Sequence, residues 1–431
     1  MKPVFYLLAT LGLFCSSASY ANLLNIAPES VEAEAWTIVD PQSGQIIAEH
    51  NSHVQRAPAS LTKMMVAYIA FKEIQSGKLN LNEMLTVSPV VNHVMWDESQ
   101  MRLTVGESVS VDTLLAGLIV MSANDGALML AERISGNVPN FVARMNAEAK
   151  ALGMQNTHFA NPPGITMPEH YSSAADLALL GQALVNETPQ YLQYSKMPNF
   201  TYHNRFHRAT NLLLQVDPTV DGLKTGFTKA AGYNLALTAK RPTGNPYAPE
   251  RRLLVVVLGT PSAQKRAEVA HKLMNVAYTY TRNEAVIQAG QTVAEIPVKK
   301  SNYTWFHVKA LSPQVATTSL YQQSFPIHLK DFDQASQRLR YMAPTGEQQV
   351  IEPLNNTKTK VDIRLPEQSL AAPLHQKMDL AEVKVYQNDN LIRTFSIENQ
   401  VEVDNLNIFS QFFAWLNDLW HQVERKAKIT L

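Results

Sequence analysis

A serine hydroxyl and a lysine amine stand three residues apart in Pro58-Ala59-Ser60-Leu61-Thr62-Lys63. The apolar run Met64-Met65-Val66-Ala67-Tyr68-Ile69-Ala70-Phe71 that follows predicts a buried helix, with Pro58 near its start. At that spacing the two side chains share one face of the first turn. A lysine desolvated there binds its proton weakly, so Lys63 could take the proton of Ser60 and leave an alkoxide beside the positive helix end. Ser-x-x-Lys is short enough to recur by chance, and Ser262-Ala263-Gln264-Lys265 is a second copy. The rest of the chain must decide between them.

Two further polar clusters follow the first copy. Ser122-Ala123-Asn124 lies between the apolar segments Val111 to Met121 and Gly126 to Ile134, where a loop pinned between buried helices would fix a side chain. Lys224-Thr225-Gly226 lies in a strand-like run that begins at Thr219. Singly each is weak. Ser135-Gly136-Asn137 competes with the second cluster, and Lys-Thr-Gly, though it occurs once, is only three residues long. Lys224 alone reads as a solvated strand-end charge, Ser122 as a helix cap and Arg266 as a surface residue. Their order along the chain makes them a set, and only the Ser60 copy precedes the other two.

The elements that would position this set can be read from periodicity. Ala35 to Asp40 and Gln45 to His50 predict two strands joined by a turn at Pro41-Gln42-Ser43-Gly44. Leu81 to about Val185 reads as mainly helical. The Thr219 to Gly226 run, Tyr233 to Lys240 and Arg252 to Gly259 predict three more strands, with a helix over Ala263 to Tyr280. Together they predict a five-stranded, mostly antiparallel sheet, closed by strands from both ends of one domain and covered by a helical insert. From Thr292 to Glu402, short alternating segments between Pro, Asn, Asp and Gly predict a small all-β module. Beyond it, Ile408, Phe409, Phe412, Phe413, Trp415, Leu416, Leu419, Trp420 and Val423 fall on one helical face, followed by a basic end at Arg425-Lys426-Ala427-Lys428. A helix docked on the β-module would look similar, but the density of Phe and Trp favours an in-plane membrane anchor.

Met1-Lys2, the apolar stretch Val4 to Phe14 and the small residues Ser17 to Ala21 read as a secretory signal cleaved after Ala21. The apolar stretch is too short for a spanning anchor, and the only cysteine, Cys15, lies within it. The exported chain would therefore use neither disulfides nor thiolate metal sites. The expected division is a signal at 1–21, a catalytic domain at 22–287, a β-rich domain at 288–402 and an amphipathic helix at 403–431. With 431 residues and 45% hydrophobic residues the chain can bury a large core. Lys+Arg and Asp+Glu are both 37, so no basic surplus suggests a nucleic-acid partner. The twelve histidines show no metal-ligand spacing and no Gly-rich phosphate loop is present, so neither metal nor cofactor is expected.

The ordered motifs resemble those of the low-molecular-mass penicillin-binding proteins that are D-alanyl-D-alanine carboxypeptidases. The likeness continues through Leu152-Gly153-Met154-Gln155-Asn156-Thr157-His158-Phe159 and from Val220 to Gly226, then Ala231-Gly232-Tyr233-Asn234, and into the order of domains. It implies an α/β (α+β) penicillin-binding-protein or β-lactamase-like catalytic fold. It also implies roles: Ser60 as nucleophile, Lys63 as base, Ser122 as proton relay and Asn124 as orienting amide. Lys224, Thr225, Gly226 and Arg266 would receive the substrate's terminal carboxylate. The oxyanion would meet the N–H groups of Ser60 and Phe227, a position where some relatives have histidine. The implied substrate is a peptidoglycan stem peptide ending in D-Ala-D-Ala, with β-lactams as covalent inhibitors and the outer face of the inner membrane as the site of attachment. A β-lactamase or a DD-endopeptidase would share the acylation machinery, and a silent peptidoglycan-binding scaffold would keep only the fold. Against a class A β-lactamase, Glu132, Glu148, Glu169 and Glu187 are each followed four residues later by something other than Asn.

Overall fold

The computed structural model describes residues 22–243, 250–301, 305–343, 345–366 and 370–404. The apolar leader and the Phe- and Trp-rich face beyond Asn405 lie outside the described residues. No described helix is long and apolar enough to cross a membrane.

The central sheet has five strands: β1 (Ala35–Asp40), β2 (Gln45–His50), β3 (Val220–Thr228), β4 (Gly232–Pro242) and β5 (Glu250–Thr260). Their order is β2-β1-β5-β4-β3 and every neighbouring pair is antiparallel. Trp36 stands opposite Val257, so the first hairpin pairs with the last strand across the length of the domain. Leu254, Val256 and Leu258 of β5 enter the core on one face, and Leu253, Val255 and Val257 enter the core on the other. Because both faces are covered, β5 reads as a continuous apolar run instead of an alternating one.

One face carries the helical lobe: α1 (Lys63–Gln75), α2 (Val111–Ala116), α3 (Asn124–Ser135), α4 (Val138–Ala151), α5 (Ala174–Asn186) and the short α6 (Tyr191–Ser195). α1 is buried from Lys63 to Phe71 with no polar side, as expected of a helix running through the middle of a core. The other face carries α7 (Ala263–Tyr280).

The helical region is less regular than its sequence suggests. Met84–Thr86 pairs with Ser108–Ser110 as a two-stranded ribbon, Pro89–His93 is a 3-10 turn, and 155–173 is irregular. Val87, Val91, Met101 and Leu103 reach the core from this backbone, so apolar spacing mimics a helix where tertiary contacts decide the path.

After α7 the chain enters β-rich structure. β6 (Thr281–Ile287) pairs with β7 (Gln314–Ser319), and most later strands surround a separate core that includes Val308, Leu374, Val383 and Val385. The ribbon containing Phe332, Leu339 and Ile351 instead packs toward α7, where Tyr280 Oη donates to Ile351 O at 2.6 Å. Gln45 fixes the other contact, donating to Thr317 O and Ile392 O and accepting from Thr317 N.

Candidate active site

Ser60 does not sit on α1 itself. It lies in a 3-10 turn, Ala59–Thr62, that leads into α1 at Lys63. Three residues per turn bring positions i and i+3 almost over one another. Lys63 Nζ donates to Ser60 Oγ at 2.9 Å and to Pro163 O at 2.6 Å. Lys63 is 1% exposed, and burial lowers its pKa from 10.5 to about 7, against the opposing pull of Glu98 and Asp125.

The turn is braced from three directions. Thr62 Oγ1 donates to Ala59 O and meets His170 Nε2 at 2.8 Å, while Ala160 N donates to His170 Nδ1. The second contact makes Nδ1 the acceptor and leaves the proton on Nε2. Burial and the positive groups nearby lower the His170 pKa to about 4, so its ring is neutral. Gly164, at φ +86°, lies so close beneath the turn that a Cβ would come within 2.1 Å of Ala59 O. Asn234 Nδ2 donates to Ala57 O and Pro58 O, tying the turn to β4.

Ser122 and Asn124 come from a tighter structure than the expected loop. Gly117–Met121 forms a π-turn after α2, Ser122 takes a left-handed conformation at φ 67°, and α3 already begins at Asn124. A non-glycine residue in that region costs about 1–3 kcal/mol and is held only by its surroundings. Ser122 Oγ and Asn124 Oδ1 are buried without a hydrogen-bond partner among the described residues. Asp125 accepts from Met101 N and Leu103 N, and Asn124 N donates to Ser99 O, so the start of α3 clamps the 99–103 segment.

β3 supplies the third motif and packs against the Ala59–Thr62 turn. A Cβ on Gly226 would stand 3.0 Å from both Pro58 O and Ser60 N, so the strand approaches this closely only with glycine there. Lys224 Nζ donates to Thr225 O at 2.9 Å, and the Thr225 and Thr210 hydroxyls share a hydrogen bond. Arg266, on the first turn of α7, donates to Thr210 O at 3.1 Å and to Gly226 O and Asn234 O at 3.4 Å. Burial, with Lys63 and Arg266 beside it, pushes Lys224 well below the ordinary lysine value. Phe227 is half exposed and packs on Tyr233 at 4.3 Å between ring centroids.

The two competing copies have structural roles. Ser262 caps α7 by accepting from Lys265 N, while Lys265 pairs with Glu32 and Glu268. Asn137 caps α4, and Gly136 ends α3 at φ +78°. Both are punctuation between helices.

A model of peptidase family S11, D-alanyl-D-alanine carboxypeptidase, matches residues 23–262. The chain belongs to that family. D-alanyl-D-alanine carboxypeptidase DacA of Haemophilus influenzae is 31% identical over 395 residues, covering 91% of this chain and 90% of that protein. The crystal structure of penicillin binding protein 5 from H. influenzae superposes with a TM-score of 0.71 at 29% identity, over 88% of this chain and all of that one. Penicillin-binding protein D2 from Listeria monocytogenes in its ampicillin-bound form gives 0.50 at 31% identity, over 57% of this chain and 96% of that one. The expected fold, a five-stranded antiparallel sheet with a helical lobe and further β-structure, is the one observed. The activity of the family is that of a serine hydrolase, a D-Ala-D-Ala carboxypeptidase.

Several residues that shape the S11 site left no sign in the sequence. Asn234 belongs to a segment that resembles the family but has no motif role, and Asp125 falls between the second motif and the apolar run that begins at Gly126. Glu98, which accepts from Asn124 Nδ2 at 2.6 Å, and the carbonyl of Pro163 had no motif at all. Pro162-Pro163-Gly164 is a recognisable turn signal, but only the fold sets its carbonyl on Lys63.

Proposed function

We propose that Ser60 is the nucleophile of this carboxypeptidase and Lys63 its base. The observation that carries the assignment is the buried 2.9 Å contact between them, with Lys63 brought to about pH 7. In its neutral form Lys63 keeps an N–H on Pro163 O and turns its lone pair to the Ser60 hydroxyl. Ser60 Oγ then bonds to the carbonyl carbon of the penultimate D-alanine as its proton passes to Lys63. The oxyanion is met by the N–H groups of Ser60 and Phe227, in a gap narrowed by the lack of a side chain on Gly226. Ser122 relays the proton to the leaving nitrogen, the C–N bond breaks, and D-alanine departs. Water, giving its proton to Lys63, cleaves the ester and restores Ser60.

Lys224, Thr225 and Arg266 hold the terminal carboxylate, a role supported by two buried basic side chains whose hydrogen bonds among the described residues go to neutral carbonyls. Asn124 orients Lys63 or the substrate amide. Stem peptides ending in D-Ala-D-Ala are the substrate class, and β-lactams, like the ampicillin in the Listeria relative, acylate Ser60. The leader at 1–21 and the amphipathic face beyond Asn405 support export to the periplasm and attachment to the outer face of the inner membrane. The β-rich part, 288–402, holds the site away from that surface.

Incubation of the mature protein with diacetyl-Lys-D-Ala-D-Ala releases D-alanine, and penicillin leaves a long-lived adduct visible by intact mass. Ser60→Ala loses both while keeping its fold, with turnover falling by ~10⁶, the scale for removing a serine nucleophile. D-alanine release by Ser60→Ala at the parent rate sinks the assignment.

A further inference from the structure

Asn124 has an amide whose two ends are nearly the same size, and its role depends on which end faces the cleft. The neighbour at 2.6 Å is Glu98 Oε2, part of a carboxylate that can only accept. The atom facing it must therefore be Nδ2, which turns Oδ1 the other way. Oδ1 is the buried, unpartnered end. Glu98 is itself held: its backbone N–H donates to Met95 O, Gln100 Nε2 donates to the same carbonyl, and the next residue, Ser99, accepts from Asn124 N. A half-buried carboxylate is thus fastened to the start of α3 through its side chain and through its neighbour's backbone.

We infer that Glu98 is a positioning residue for the hydrolysis: its carboxylate fixes the Asn124 amide with Oδ1 toward the reacting groups and acts as a remote negative charge on Lys63. The inference rests on the roles proposed above for Lys63 and Asn124. The charged groups facing Lys63 are Glu98 and Asp125, which favour its proton, and Lys224, which opposes it; His170 beyond Thr62 is neutral. Removing the charge at 98 leaves Asp125 as the one attractive carboxylate of the pair, so Lys63 loses its proton at lower pH. Removing the carboxylate also frees the amide, because a glutamine at 98 can donate to Oδ1 as readily as accept from Nδ2.

The experiment uses Glu98→Gln, Asn124→Ala and the double variant in the full chain, assayed for D-alanine release across the acid limb of the pH profile. Glu98→Gln is expected to lower kcat/KM about tenfold at neutral pH, mostly through kcat, as misplacement of an orienting group does. Its acid limb moves to lower pH, which a packing defect would not produce. In the Asn124→Ala background the tenfold loss disappears while the displaced limb remains. An undiminished loss in that background, or an unmoved limb, overturns the inference and leaves the Asn124 role standing. Full activity in Asn124→Ala overturns that role and the inference with it. Thermal midpoints equal to the parent's establish that each variant is folded.

Discussion

Lys63 and Lys224 are both enclosed, at 1% and 2% exposure, yet their surroundings differ in sign. Lys63 faces two carboxylates, Glu98 and Asp125, and its Nζ bonds a hydroxyl and one carbonyl. Lys224 faces two cations, Lys63 and Arg266, and bonds a carbonyl. Burial alone pushes any lysine toward neutrality; the neighbours decide how far. Around Lys63 acidic groups stop the fall near neutral pH, where an amine can take a proton and give it back. Around Lys224 the described neighbours deepen the fall, so in the proposed role an arriving carboxylate would supply the missing partner and restore the charge. In the roles proposed above, one region serves as a base and the other as an anion socket. The same burial serves both.

Of the two regions, the larger effect should come from breaking the base. Lys63→Ala is expected to lower kcat by ~10³ or more, within the range for general-base catalysis, with KM little changed. In the parent, kcat/KM should rise with pH through about 7 as Lys63 loses its proton. Assays of D-alanine release across a series of pH values measure this limb; a flat profile through neutrality would separate Lys63 from the base role.

Breaking the socket should act on binding. Lys224→Ala is expected to reduce kcat/KM by ~10², chiefly through KM, as for truncating one member of a buried charge pair. With a substrate whose terminal carboxylate is capped as an amide, the variant and the parent should become nearly equal. A loss that persists with the capped substrate would mean Lys224 serves the chemistry instead.

The smallest effect tests the seam between the two regions. Gly226→Ala puts a methyl 3.0 Å from Pro58 O, Ser60 N and Leu61 Cδ1. β3 must then retreat by a few tenths of an ångström, and a ~10-fold fall in acylation by penicillin is expected from the displaced oxyanion donors. Unchanged acylation kinetics by intact mass would show that the close approach is packing alone.

How far the chain could be read from its sequence varied with the kind of interaction. β5 and α7 were legible because their apolar runs are long and end in turn residues. α1 was legible, but its start was not: the shift of Ser60 into a 3-10 turn depends on Ala59 at φ 51° and on the brace from Thr62 and Gly164. The region from Leu81 to Met101 read as helical because its apolar residues are spaced for a core, while the backbone is shaped by what it clasps. Asp125 and Glu98 could not be chosen among 37 acidic residues, since neither spacing nor neighbours mark them.

The sequence by itself determined the candidate serine and lysine, the order of the three motifs and the strand that carries the third, because local spacing and hydrophobic period are properties of the chain. Only the tertiary structure decided which Ser-x-x-Lys pair is buried, which carbonyl orients Lys63 and which carboxylate holds Asn124. Ser60-x-x-Lys63 and Ser262-x-x-Lys265 have the same local pattern; one is enclosed by the sheet and the 161–165 segment, the other caps an exposed helix end. Proton affinity follows from desolvation and from charges distant in sequence, and those are set only when the chain has closed on itself.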